Sequence, residues 1–267
     1  MLTNAIPELN SAIIAEMYRC AVNRYPEEAC GFLVQTSDRK YRFMEARNVS
    51  EFPTEQFVMH KDDVMAAEDC GDVVAIWHSH TDRSNAATDP DLSGCEATGL
   101  PWLILALCKN LDDDIDADFR FSDMNVITPS GFEMPYVGRP YVFGVFDCWM
   151  LCRDYLKREF GIDINANMHL HIPKWYEGGE DILGNNFEQE NLVRLSPGQE
   201  PQKGDIFFLQ YGKMPDHCMV YEGDDRVLHH QVDRLSARAI YGEVYKKHTT
   251  HHLRHKDLLQ GNEQCLN

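Results

Sequence analysis

The sequence has no Cys-x-x-Cys pair, no apolar run near the ~18 residues a membrane span takes, and no surplus of basic residues. The first absence excludes zinc-finger and thioredoxin-type chemistry. Nine Cys, an odd number, are scattered along the chain and read as reduced core residues, not as a disulfide framework. The second absence excludes stable membrane insertion by a helix. Lys and Arg number 25 against 43 Asp and Glu, a formal charge of −18 that opposes binding to nucleic-acid phosphates or anionic lipid. Met1-Leu2-Thr3-Asn4 lacks the basic opening and apolar stretch of a secretory signal, so folding in a cytoplasm is expected.

What is present is 267 residues of which 43% are hydrophobic, enough for one large or two ordinary domains. An Asp-rich break runs from Asp112 to Asp118, and Pro129, Gly131, Pro135, Gly138 and Pro140 punctuate the stretch that follows. The expected division is a first domain at 1–123, a linker at 124–140 and a second domain at 141–267. The elements expected are mixed, so the fold class is α/β in the α+β sense. Helical spacing covers Glu8–Tyr25, His60–Cys70 and Asp147–Phe160. Strands are expected at Cys30–Val34, Arg42–Ala46, Val73–His80, Pro101–Leu107, Asp205–Tyr211, His217–Tyr221 and Arg226–His230. Residues 165–200 read as loop with a short helix near Asn185–Val193, and His248, His251, His252 and His255 as a solvated terminal segment.

Two constellations carry chemistry. The first is Trp77-His78-Ser79-His80. Side chains alternate across a strand, so His78 and His80 project from one face. Thr88 is a good N-cap and Pro90 fits a first helical turn, which puts Asp91 at the third helical position, facing back toward the strand end. Two His and one Asp hold a zinc ion with one position open, and zinc held so acidifies water to a pKa near ~7. A nearby carboxylate must then take and return protons; Glu28, just before the strand at Cys30, is the candidate, and Thr88 can donate to an oxyanion.

The second constellation begins at Cys148, which opens the helix after Asp147. The helix dipole favours its thiolate. A base and an orienting group are also needed. His217 starts a strand, and a three-residue loop would set His229 on its face, whereas an even-length loop would present His230.

Glu28-x-x-Gly31, His78-x-His80 and Thr88-x-x-Asp91 resemble the motif of the JAMM (MPN-plus) zinc isopeptidases, and Arg47-Asn48 through Phe57 matches in placement. The resemblance implies one zinc ion per chain on His78, His80 and Asp91, with Glu28 as general base. Thr81 stands where that family usually has Pro, and Thr88 where it usually has Ser. Asp147-Cys148, Lys203 to Phe208, His217 and His229 resemble the NlpC-type cysteine peptidases of the papain-like group. That implies Cys148 as nucleophile, His217 as base and His229 as orienting residue, acting on peptidoglycan stem peptides, commonly after D-glutamate. Trp149 and Met150 replace the small residue and Gly usual there. Cys30, Cys152 and Cys218 read as packing residues.

The order of the two domains, with Gly138 through Cys148, resembles the tail-tip assembly proteins of lambda-like siphophages. This implies other phage tail-tip proteins as partners and a place at the virion tail tip. It also implies two peptidase activities, one zinc-dependent and one thiol-dependent, at work in the periplasm as DNA enters the cell. The alternative is a catalytically silent structural component whose zinc is a fold staple.

Overall fold

The computed structural model describes residues 9–110, 118–165 and 175–260. The opening residues 1–8, positions 112–117 of the Asp-rich break, 166–174 of the expected loop and Cys265 lie outside the described residues. The chain divides into two compact units, 1–133 and 134–267. The mixed α/β, two-domain organisation expected from the sequence is the one the fold has, with one sheet in each unit.

In the first unit, helix α1 (Ser11–Arg24) starts where the Asn10 side chain accepts from Ile13 N. It buries Ile13, Met17, Cys20 and Ala21 against the sheet. That sheet holds β1 (Cys30–Gln35), β2 (Tyr41–Ala46), β3 (Asp72–Thr81), β4 (Trp102–Lys109), β5 (Phe119–Phe121) and β6 (Asn125–Ile127). Its order is β2-β1-β3-β4-β5, with β6 also paired to β4. Residues 125–127, inside the stretch expected as linker, are thus an edge strand of this sheet.

Only β3 and β4 run parallel among these pairings, and α3 (Asp89–Thr98) supplies the crossover such a pair requires. Period two sends Leu33, Ala75 and Trp77 toward α1, and Cys30, Phe32 and Ile76 to the other face, with Ala67 of α2 (Lys61–Cys70) and Cys95 of α3. His78 and His80 share that second face with Ile76. Gly31 is fixed by close packing: a Cβ there would lie 2.4 Å from the Met44 carbonyl oxygen.

In the second unit, α4 (Cys148–Phe160) is capped by the Asp147 side chain, which accepts from Met150 N at 2.9 Å, and ends at Gly161 with φ 70°. Two short helices, α5 (Trp175–Gly178) and α6 (Ile182–Asn186), follow. An all-antiparallel sheet has the order β11-β10-β9-β8-β12-β7, formed by β7 (Leu192–Arg194), β8 (Ile206–Leu209), β9 (His217–Gly223), β10 (Arg226–His229), β11 (Ala237–Ile240) and β12 (Thr249–His255). Helix α4 packs on Ile206, Phe208, Cys218, Val220 and Leu228. The opposite face gathers Phe207, Leu209, Met219, Tyr221, Val227 and Tyr241, near α7 (Glu243–His248); α8 (Lys256–Gln260) follows β12.

Two expectations are corrected. The helix expected near Asn185–Val193 ends at Asn186, a 3-10 turn covers Phe187–Glu190, and Asn191 with φ 58° turns the chain into β7. The His-rich segment is not solvated. His248 ends α7, and Thr249–His255 is β12, hydrogen-bonded between β8 and β7, with His251 against Phe187 and Phe208 and His252 against Phe207.

Two candidate catalytic sites

In the first unit β3 ends with both imidazoles turned inward. His78 and His80 are fully buried, and their Nε2 atoms are 3.1 Å apart. Asp91 reaches them from α3: Oδ1 is 3.2 Å from His78 Nε2 and Oδ2 is 3.3 Å from His80 Nε2. Asp91 sits there because of a capping box. Thr88 Oγ1 accepts from Asp91 N, while Asp91 Oδ2 accepts from Thr88 N and Thr88 Oγ1, both at 2.7 Å. Burial opposes ionisation of Asp91, but hydrogen bonds from His78 and His80 outweigh it and hold its pKa well below the usual carboxylate range.

These three residues fit a metal ion. Among the described residues they are the one set of three whose ligand atoms lie within 4.8 Å of one another. Two ligands about 2.0–2.1 Å from a tetrahedral ion stand ~3.3 Å apart, close to the spacings here. The carbonyl oxygen of Ser84 accepts from His80 Nδ1 at 2.8 Å, which fixes the ring so that Nε2 faces His78 and Asp91.

Cys30 stands opposite His78 in the β1–β3 register, so Glu28, two residues earlier, comes to the same end of the sheet. Its backbone N donates to Pro53 O at 2.7 Å, which ties it to the 47–57 loop. Burial raises the pKa of its carboxyl, while His78, Arg83 and His80 pull it down. Arg83 forms an ion pair with the Glu28 carboxylate and donates to Glu55 O at 3.3 Å. Sequence reasoning missed Arg83, since no periodicity marks a loop residue after a strand.

In the second unit Cys148 is the first residue of α4 and 6% exposed. A hydrogen bond from Cys218 and, against the cost of burial, another from His217 hold its thiol well below the ordinary pKa. His217 Nε2 lies 3.4 Å from His229 Nδ1. The turn decides which histidine this is. Asp224 and Asp225, with φ 50° and 53°, make a two-residue turn, but the register shifts beside it, so that Val227 pairs with Tyr221 and His229 with Met219. The bulge restores odd parity and sets His229 on the face of His217. His230 instead meets the Tyr141 ring and the carbonyl oxygen of Arg234, 3.0 Å from its Nε2. Burial lowers the pKa of His229 to about 4.

Known proteins match both units. Residues 10–120 match the family described as prokaryotic homologs of the JAB domain, and residues 138–254 match the NlpC/P60 family. The chain is 35% identical over 246 residues to tail tip assembly protein K of Escherichia phage N15, covering 92% of this chain and 94% of that protein. The chain belongs to the tail tip assembly protein K family. Tail tip assembly protein K of Escherichia phage lambda is 28% identical over 199 residues, 74% of this chain and 89% of that protein. A solution structure of a Salinibacter ruber protein is 22% identical, covering 47% of this chain and 93% of that one, with a TM-score of 0.27.

In this tail tip assembly protein K family member, Glu28, His78, His80, Thr88 and Asp91 fall within the JAB-type match, and Cys148, His217 and His229 within the NlpC/P60 match. Sequence reasoning took Cys218 only as packing. Alternation along β9 is the signal that could have placed it beside Cys148, because it turns the residue after His217 toward α4. Tyr141 was also missed; its hydroxyl pKa is raised by burial and by the charges of Asp147 and Cys148.

Proposed function

We propose that the chain is a tail-tip hydrolase whose second domain cuts peptidoglycan stem peptides through Cys148. The observation that carries this reading is the line from Cys148 to His217 to His229, set at the start of α4. The Cys148 sulfur attacks the scissile carbonyl carbon, an S–C bond forms, and the C–N bond breaks as His217 gives its proton to the leaving amine. Water then attacks the acyl group while His217 takes the water's proton, and the thiolate leaves. His229, with a pKa near 4, is neutral at pH 7 and orients His217 without competing for its charge.

In the first domain His78, His80 and Asp91 would hold one zinc ion per chain. Zinc there supplies a Lewis acid that brings a water pKa to near ~7. Glu28 takes and returns the proton in a peptide or isopeptide hydrolysis, and Thr88 is placed to support Asp91 or an oxyanion. All these residues lie within 1–123 and 141–267, the two domains expected from the sequence. The names of the N15 and lambda relatives support assembly with other phage tail-tip proteins. We extend this to a place at the virion tail tip and to action in the periplasm as DNA enters.

The Glu28–Arg83 ion pair favours a second reading for the first domain alone: a catalytically silent unit in which the metal is a fold staple. Digestion of purified sacculi tests the main reading. Wild type should release muropeptides and Cys148→Ala should not; equal release from both overturns it. For the first domain, Arg83→Ala should raise zinc-dependent peptide hydrolysis if Glu28 is a working base, and leave none if the site is a staple.

A further inference from the structure

We propose that Cys148, Cys218 and Cys152 form a thiol relay that accepts oxidation by a hydroperoxide at Cys148 and passes it on to a Cys152–Cys218 disulfide. The geometry is the basis. Cys148 and Cys152 are one helical turn apart on α4, on the face that packs against β9. Cys218 of β9 packs in the same buried cluster as both: its Sγ is 3.8 Å from that of Cys152, and it is near enough to Cys148 to act on the acidity of that thiol. A disulfide needs about 2.05 Å between sulfurs, so side-chain rotation has under 2 Å to close, by order of magnitude. Access is graded in the right order. Cys148 is 6% exposed, whereas Cys152 and Cys218 are fully buried, so a small oxidant meets Cys148 first.

The chemistry balances without any group beyond the peroxide. The Cys148 thiolate attacks one peroxide oxygen, an S–O bond forms, the O–O bond breaks, and hydroxide or alkoxide leaves; sulfur is oxidised and the peroxide reduced. The Cys218 sulfur attacks the sulfenic sulfur, an S–S bond forms, the S–O bond breaks, and hydroxide departs as water with the Cys218 proton. Cys152 then attacks the Cys218 sulfur it touches. A Cys152–Cys218 bond forms, the Cys148–Cys218 bond breaks, and the departing Cys148 sulfur takes up the Cys152 proton. Cys148 is the better leaving group, because its thiol is the acidic one and burial raises those of Cys152 and Cys218. The nucleophile is thus returned reduced, and the oxidation is stored where no substrate reaches. Of the remaining described cysteines, Cys20, Cys30, Cys70, Cys95 and Cys108 belong to the first unit and take no part. The relay asks only that Cys148 be a reactive thiolate, whatever the enzyme's substrate.

The test uses the full-length chain, titrated with hydrogen peroxide, alkylated and mapped by peptide mass spectrometry. In wild type, Cys152 and Cys218 should be recovered as a cross-linked pair and Cys148 as an alkylated thiol. In Cys152→Ala the relay should stop one step early, at a Cys148–Cys218 disulfide that dithiothreitol reverses. In Cys218→Ala, and in Cys218→Ser should alanine not fold, Cys148 should advance to sulfinic acid that dithiothreitol does not reverse. The proposal is overturned if wild type accumulates Cys148 sulfinate at the dose that produces it in the Cys218 variants. It is equally overturned if Cys152 and Cys218 stay alkylatable after Cys148 has been oxidised, or if Cys148 resists peroxide altogether.

Discussion

Nε2 of His78 stands 3.1 Å from Nε2 of His80, and the Asp91 carboxylate faces both. With His80 Nδ1 donating to Ser84 O, its Nε2 is held facing another imidazole and an anion. A divalent cation relieves that arrangement. Purified protein should carry about one zinc per chain, and His80→Ala should carry none. Because only the folded site binds, zinc at 100 times its dissociation constant should add ~2.7 kcal/mol to the stability of the first unit. Calorimetric melts with zinc and with chelator check this, and identical melts in the wild type would count against a metal site.

Thr88 separates a cap from a catalytic donor. Its one hydroxyl proton goes to Asp91 Oδ2 at 2.7 Å, so in this geometry it braces a ligand. Thr88→Ala should cost about 1 kcal/mol through the lost cap, and weaken zinc binding ~10-fold through the loosened carboxylate. Thr88→Ser should recover both. If Thr88 also serves an oxyanion, Thr88→Ala saturated with zinc will still be slow; a rate fully restored by excess zinc would confine Thr88 to bracing.

How much of this was legible follows from where each signal is stored. Helices α1 and α4 were readable from apolar residues at helical spacing, and strands β1, β3, β4, β9 and β10 from short apolar runs that the sheets bury almost throughout. Thr88 as N-cap and Pro90 in the first turn put Asp91 at its helical position from the sequence, and the structure adds that the two residues Thr88 and Asp91 form a capping box. Strand β12 was not readable. Its residues are polar, and their burial comes from Phe207, Phe208 and Phe187, remote in sequence, and from the ladders to β7 and β8. The choice between His229 and His230 hung on one bulge beside Glu222, which leaves no trace in residue pattern. Arg83 was invisible for a similar reason: its meaning lies in reaching Glu28 across the site.

Stability should fall as pH drops below neutral. Burial lowers the pKa values of His229, His230, His251 and His255, that of His229 to about 4. An unfolded chain titrates its histidines near ~6.5, so between that pH and ~4 the unfolded state binds more protons than the folded one. The contribution is fully present above ~6.5 and is lost progressively on the way down to ~4. Thermal melts at a series of pH values across that window should show the fall, and His229→Gln should make it shallower. A wild type equally stable across the window would rule this out.

Asp205 is the last case, and its partners are all accounted for. It is fully buried and accepts from Arg254 Nε at 2.6 Å and Nη2 at 2.8 Å, from Gln202 N at 2.8 Å, and lies 2.7 Å from His252 Nε2. Burial alone would raise its pKa, but Arg254 and His252 bring it below the usual range. A bidentate pair of this kind is costly to bury and costlier to halve. Asp205→Ala leaves the Arg254 guanidinium buried beside a cavity and should destabilise the second unit by about 3–5 kcal/mol. Removing both charges, Asp205→Leu with Arg254→Met, should cost less than either single change, because no unpaired ion remains. The readout is urea unfolding of the second unit, with zinc content of the first unit as an internal control. A double variant as unstable as the sum of the singles would mean that the pair contributes no coupling, and that β12 is held by its backbone ladders and ring contacts alone.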